Sequence, residues 1–469
     1  MYVYQSRRFS ASDTHSFIIL PRNMWPWLLA LALPALACVP NSTAQADIQA
    51  LLAAGGRGYT LSLCPGQVYD VAGPLNFTAA EQEISTEGYP TGEARAVLRV
   101  VSGMCAVRGN GAGLDGVRLR HVQVDGNRVG NAGAPGSNEG NIEVGGSNRG
   151  QVVEWVRSFN PRGWTCLHVV EGELACANAT IQHNDIGPCG HDTWADWADG
   201  ISLSCANSTV YNNTIVDATD GGIVIFGAPY STVSANRVRA STRVMLGGIN
   251  LVDMLPWKPD GNYSGTRVVS NFIEGGYASA AGNASRGPNA ARALIKIGIG
   301  VGPKVWWAET YQNTSRGGEV SNNVLSGAFS FGVAVGGVQN FRITNNSFVG
   351  NATFIGSYGA NCTQWDKTPN PPTALLREPD SLVNVEIAKR DDYGWTDGRV
   401  QGLTCFVPPP ANEWAWPYGG GGFNADPTTS ASTPPTPTPS EVKAQDSAAT
   451  RFVPATCLTL IAAAMAALV

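Results

Sequence analysis

Seven times between Val124 and Phe348 the chain returns to one short pattern: an aliphatic residue, two positions, an asparagine, one position, and a second apolar residue. The copies are VDGNRV around Asn127, IQHNDI around Asn184, VYNNTI around Asn213, VSANRV around Asn236, VVSNFI around Asn271, VSNNVL around Asn323 and ITNNSF around Asn346. Asn213 to Asn236 and Asn323 to Asn346 are both 23 residues apart, a length that suits one coil of three short strands, and longer gaps imply loops or extra coils. A repeat of this size cannot bury its apolar face alone, so stacking of coils is required and a solenoid follows. An asparagine at each corner bonds to the turn backbone and to its equivalent one coil away, which makes these residues scaffold.

A second ladder runs a few residues after each asparagine. Its strands are NIEV (141–144), CLHV (166–169), GISL (200–203), GIVI (222–225), GINL (248–251), KIGI (296–299) and GVAV (332–335). Strand alternation turns Ile142, Leu167, Ile201, Ile223, Ile249, Ile297 and Val333 inward and their neighbours outward. The outward set then contains Glu143 and His168 on successive coils, with Ser202, Asn250 and Lys296 further along and many glycines. Those glycines read either as a floor for a close-lying ligand or as an aid to packing of neighbouring loops. The fold class expected is all-β, one right-handed parallel β-helix of about 23-residue coils with loop insertions.

The ends carry processing signals. Residues 1–44 read as a signal-peptide region, with the apolar run 24–37 behind Arg7, Arg8 and Arg22 and a possible start at Met24. The β-helix is expected over 45–406, a Gly-rich and then Pro/Ser/Thr-rich linker over 407–445, and a lipid-anchor attachment signal over 446–469. The final apolar run from Cys457 is shorter than the roughly 20 residues that span a bilayer. With Cys38 placed at the signal junction and Cys457 in the tail, eight cysteines are left for disulfides, and Cys362 with Cys405 is the pair expected first.

Sequons at Asn76, Asn178, Asn207, Asn212, Asn262, Asn283, Asn313, Asn345, Asn351 and Asn361 fit an exported glycoprotein placed at the cell surface. If Asn212 and Asn345 carry glycans, their corner is covered and a long substrate must use the face bearing Glu143, His168 and Lys296. Thirty-one basic against 36 acidic residues, with no basic stripe, argue against nucleic acid as a partner. A monomer is expected, touching a membrane through its anchor alone.

In its coils the chain resembles the pectate-lyase-like superfamily of parallel β-helices over roughly residues 50–405. The resemblance implies a polysaccharide cleaved or epimerised in an external groove, although some members are adhesive or structural. It also directs attention to HDTWADWADG, residues 191–200, where the spacing of 29 residues from Asn184 to Asn213 implies a polar insertion. From this segment come His191, Asp192, Asp196 and Asp199, with Trp194 and Trp197 as sugar platforms or lids. Asp199 and Asp220, each before a glycine and about one coil apart, form a possible acid–base pair for glycoside hydrolysis.

The Gly-His-Gly and Arg-Ile-Lys motifs of the polygalacturonase branch are not matched; Ala293-Leu294-Ile295-Lys296 is a faint echo. A lyase would instead use a basic side chain, often with calcium. Lys296 supplies the first, and Asp192, Asp196 and Asp199 are the carboxylates for the second if calcium is needed. His168 with Glu143, or His191 with Asp192, offers another base. The expected catalytic residues are therefore Asp199, Asp220, His168, His191, Asp192 and Lys296, and the expected binding residues Glu143, Trp194, Trp197 and Asn250. Lyase, hydrolase and a non-catalytic glycan-binding or wall-structural role all stay open, as does the cofactor, with calcium the one in view.

Overall fold

A computed structural model describes residues 38–128, 139–171, 175–191, 197–252, 261–278, 292–306, 315–354, 356, 373–388, 393–400 and 403. Three all-parallel sheets wrap around one axis, of 13, 10 and 12 strands among the described residues. Through residue 274 each strand pairs with the strand three further along, so the chain visits the first, second and third sheet in turn and then begins the next coil. The result is a single right-handed parallel β-helix, the hand that parallel crossovers of twisted strands take. Alternation in the strands supplies the core: Ile181, Val210, Val233, Val268 and Val320 of the first sheet are fully buried and stacked in register.

The corner between the first and second sheets is built as the repeat predicts. Asn184, Asn213, Asn236, Asn271, Asn323 and Asn346 are buried, and from Asn213 onward each amide oxygen accepts from the backbone N–H and side chain of the preceding ladder asparagine at 2.8–3.1 Å. The sequence separations along this ladder are 29, 23, 35, 52 and 23 residues, the two shortest equal to the spacing seen in the sequence. Asn127 is not a member. It follows a strand of the second sheet, at the next corner, with φ 48° and its N–H bonded to Asp125. The ladder begins instead where Val156 N–H donates to Asn184. A six-residue pattern is satisfied at either corner, which is why the sequence placed Asn127 wrongly.

Helix Gln45–Gly55 covers the first coil through buried Ile48 and Leu52. Its glutamines treat the open strand edge as another strand would. Gln45 accepts from Ala72 N–H and donates to Gly73 C=O, and Gln49 accepts from and donates to the backbone of Asn76. Cys38, assigned to the signal junction on sequence, is bonded to Cys64 across this end, which corrects the cysteine count. Cys166–Cys189 and Cys176–Cys205 tie neighbouring coils in the middle, and Cys105 is a buried free thiol. The pairing of Cys362 with Cys405 lies outside the described residues.

Candidate active site

The outer face of the third sheet carries most of the expected residues. Its register aligns Arg108, Glu143, His168, Ser202, Val224, Asn250 and Gly300 on successive strands, which lie about 4.8 Å apart. Three residues earlier on the strands a second outward row runs through Thr165, Asp199, Gly221, Gly247 and Ile297. The sequence alignment holds for every strand but one. Ile249 pairs with Ile299, not Ile297, so the equivalent rung is GIGV (298–301) and Lys296 lies opposite Leu246, four residues before the His168 row. In Ile-Lys-Ile-Gly-Ile-Gly-Val the alternation reads alike two residues apart, so the pattern could not fix the register; Ile297, expected inward, belongs to the outer cluster, and Ile299 joins the core.

The glycines divide into two classes with different causes. A Cβ on Gly200, Gly222, Gly248, Gly298 or Gly332 would strike the core side chains Ile215, Val238, Ile273, Leu325 and Phe348 of the second sheet. These positions bend toward the core and are not a groove floor. Gly221 and Gly247 are outward: a Cβ there would meet the amide of Asn250, with Asp199 beside the first and Trp306 over the second.

At the centre sits the carboxylate pair. Asp199 accepts from Gly221 N–H at 2.9 Å and from Ser202 Oγ at 2.9 Å, and Ser202 Oγ is 3.1 Å from Thr165 Oγ1. Asp220, just before the next strand and opposite Ala198, donates its backbone N–H to Ala198 and accepts at its own carbonyl from Gly247. Its Oδ1 is shielded from solvent and has no hydrogen-bond partner. Burial first, and the neighbouring Asp220 second, push the Asp199 carboxyl well above the usual range, against the two bonds it accepts. Burial likewise pushes Asp220 up to about 7. Lys296, two strands beyond Asp220, is buried and brought down to about 7 by desolvation.

On the N-terminal side, His168 Nδ1 is 2.9 Å from Glu143 Oε2, Glu143 also accepts from Gly140 N–H, and the edge of Trp164 meets the imidazole at 4.8 Å between centroids. Arg108 pairs with Glu139 just beyond. On the C-terminal side the same face is covered. Val224, Leu246, Val252 and Trp306 form one apolar cluster with Trp197 packed on it, and Ile297, Val305, Phe331, Ala334, Leu376, Val400 and Leu403 form another. Trp197 therefore acts as a lid over the coil, not as an open sugar platform. Asn250, fully buried beneath the first cluster, has neither amide atom hydrogen-bonded.

Asp192, Trp194 and Asp196 lie outside the described residues, and His191 stands where the chain enters that segment. Among the described residues no group of three or more ligating side chains is poised for a metal ion, and no calcium step is derived. Thr165 and Trp164 were missed on sequence. Both sit one coil before Asp199, and the spacing from Cys166 to Gly200 in the strand alignment carried the signal.

No family model and no curated protein matches the chain. Solved structures do. The A-module of the mannuronan C-5 epimerase of Azotobacter vinelandii is 14% identical, with 76% of this chain and 94% of that one covered at a TM-score of 0.43. The endo-xylogalacturonan hydrolase of Aspergillus tubingensis is 13% identical, with 76% and 96% covered at 0.44. An α-1,3-glucanase of Streptomyces thermodiastaticus is 13% identical, with 78% and 70% covered at 0.38. They share the coil architecture with this chain and no residue-by-residue correspondence.

Proposed function

We propose that the protein is an exported carbohydrate-active enzyme that hydrolyses a polysaccharide laid across the outer face of the third sheet. The observation that carries this reading is the Asp199–Asp220 pair: two carboxyls at the starts of neighbouring rungs, both raised by burial, one with an unbonded oxygen. The two carboxyls titrate as a coupled unit in which burial favours the protonated form, so a proton is held on the pair. One arm of the pair donates that proton to the glycosidic oxygen as its bond to the anomeric carbon breaks. The ionised arm takes the proton of the water that adds to that carbon, directly or after a covalent intermediate. Asp220, with its bare Oδ1, is the proton donor; Asp199, fixed by Gly221 and Ser202, is its partner. His168, oriented by Glu143, stands on the neighbouring strand of the same face, opposite Ser202.

A lyase is the second reading, favoured by Lys296. An amine held near 7 is partly neutral at physiological pH and can take the proton beside a uronate carboxyl. The three disulfides support export, and no helix among the described residues is long and apolar enough to cross a membrane. Retention at the surface through a lipid anchor on the 446–469 tail, and a monomeric state, complete the proposal.

The test is incubation of the secreted protein with a panel of neutral and uronate-containing polysaccharides, with and without calcium. New reducing ends without an unsaturated ultraviolet chromophore, abolished by Asp220→Asn, support hydrolysis. The chromophore, abolished by Lys296→Met, moves the assignment to a lyase. No product on any substrate leaves a glycan-binding or wall-structural protein.

A further inference from the structure

Away from the third sheet, at the corner between the first and second, a column of rings climbs the outside of the coils. Tyr89, His121, Trp155, His183 and Tyr211 follow one another with centroids 5.1, 6.0, 4.7 and 5.8 Å apart. The residue at this corner, which in the upper coils comes just before the ladder asparagine, is left-handed in each coil: His121, Trp155, His183, Asn212, Ala235, Ser270, Asn322 and Asn345 all have φ between 50° and 57°. Along that row the side chains change character at one place. Below Asn212 they are rings; above it come Ala235 and Ser270, both exposed and small.

Asn212 is exposed and belongs to the sequon Asn212-Asn213-Thr214. Its Nδ2 lies 2.8 Å from Nδ1 of His183 and donates an N–H to the ring. The preceding Tyr211 is 41% exposed and packs edge-on to the same imidazole. We propose that Asn212 carries an N-linked glycan whose first sugars lie in the bay closed on one side by His183 and Tyr211 and left open on the other by Ala235 and Ser270.

The chemistry suits that occupant. A linked Asn212 keeps one N–H on Nδ2 and so can keep its bond to His183. The attached N-acetylglucosamine presents apolar C–H faces, which aromatic rings accept, and its hydroxyls stay in water above small side chains. The occupant arrives tethered, so the ordering cost of docking it is small compared with that of a free ligand. The bulky rings at positive φ, an unfavourable backbone for them, gain a covering partner. The site is independent of the Asp199–Asp220 reading, since it faces a different corner of the coil.

The full chain is produced in a host that N-glycosylates and, in parallel, in a bacterial periplasm, which forms disulfides without adding glycans. Peptide mapping is expected to find Asn212 occupied. Thr214→Ala, which removes the sequon and leaves Asn212 in place, is expected to lower Tm by about 2 °C in glycosylated material. The same substitution should leave the bacterial protein unchanged, and the shift should vanish in a His183→Ala, Tyr211→Ala background. Native release by a peptide amidase should be several-fold slower at Asn212 than at other occupied sequons, a readout that needs no ring variant to fold. A bare Asn212, an equal Thr214→Ala shift in both materials, or release at the common rate each overturns the proposal.

Discussion

Two columns of buried polar side chains run along this molecule, and they are built on opposite principles. In the corner ladder each asparagine from Asn184 to Asn323 is bonded on both sides: Asn236, for example, accepts from two groups of Asn213 and donates to Val210 C=O and to Asn271. On the outer face of the third sheet, Asp220 keeps an unbonded oxygen and Asn250 has no bonds from its amide at all. A satisfied buried polar group stabilises and fixes a fold, whereas an unsatisfied one costs free energy that only a bound ligand or a reaction recovers. The contrast separates scaffold from site without reference to any other protein.

The sharpest way to break the comparison is at the carboxylates. Asp199→Asn and Asp220→Asn are each expected to lower kcat by about 10²- to 10⁴-fold on whichever polysaccharide proves to be the substrate, with Tm preserved or raised. If either variant keeps more than a tenth of the activity, that carboxyl is not part of the acid–base pair. Next in size is the ladder: Asn236→Ala strands the donors of Asn213 in the core and should cost about 2–4 kcal/mol in chemical denaturation, with kcat unchanged in the folded fraction. A loss below about 0.5 kcal/mol would remove the distinction between the two columns.

The pH dependence of stability gives the third measure. Asp220 titrates at about 7 in the fold against 3.8 unfolded. A raised carboxyl contributes fully below its unfolded value and loses that contribution as pH rises through its folded one. Relative to Asp220→Asn, the wild type should therefore weaken by about 1–3 kcal/mol between pH 4 and about 7, read from parallel denaturation curves. Parallel curves of constant separation would mean that Asp220 is solvated. The smallest effect is at Asn250: Asn250→Val removes two unbonded atoms and should be neutral or stabilising by about 1 kcal/mol. A destabilised variant would place a hydrogen-bond partner on that amide.

The architecture was legible because a 23-residue spacing, alternating strands and corner asparagines constrain one another. Errors came where a local pattern fits two places equally: Asn127 at the wrong corner, and KIGI one pleat out of register. Asp199 and Asp220 were legible as neighbours because two Asp-Gly steps about one coil apart fall on successive rungs, but not their offset by one residue, which sets Gly221 and not Asp220 opposite Asp199. The solitude of Asn250 was not. It depends on Leu246 of its own strand, Val252 just after it and Trp306 of the helix Pro303–Trp306 packing over it, an arrangement no repeat encodes. The glycines were half legible: the repeat located them, but only the packing of Ile215, Val238 and Ile273 against them shows which face they serve.

The helix at residues 45–55 has a consequence beyond covering the first coil. A stack of parallel strands is a one-dimensional crystal, and its first layer offers the next chain the same bonds that it offers its own second layer. Gln45 and Gln49 occupy those bonds with side-chain amides, which match the backbone groups of Ala72, Gly73 and Asn76 but present no backbone edge of their own. Growth stops at a layer that looks complete from inside and inert from outside. A Gln45→Ala, Gln49→Ala chain would thus be a seed with its terminator removed, prone to add molecules end to end.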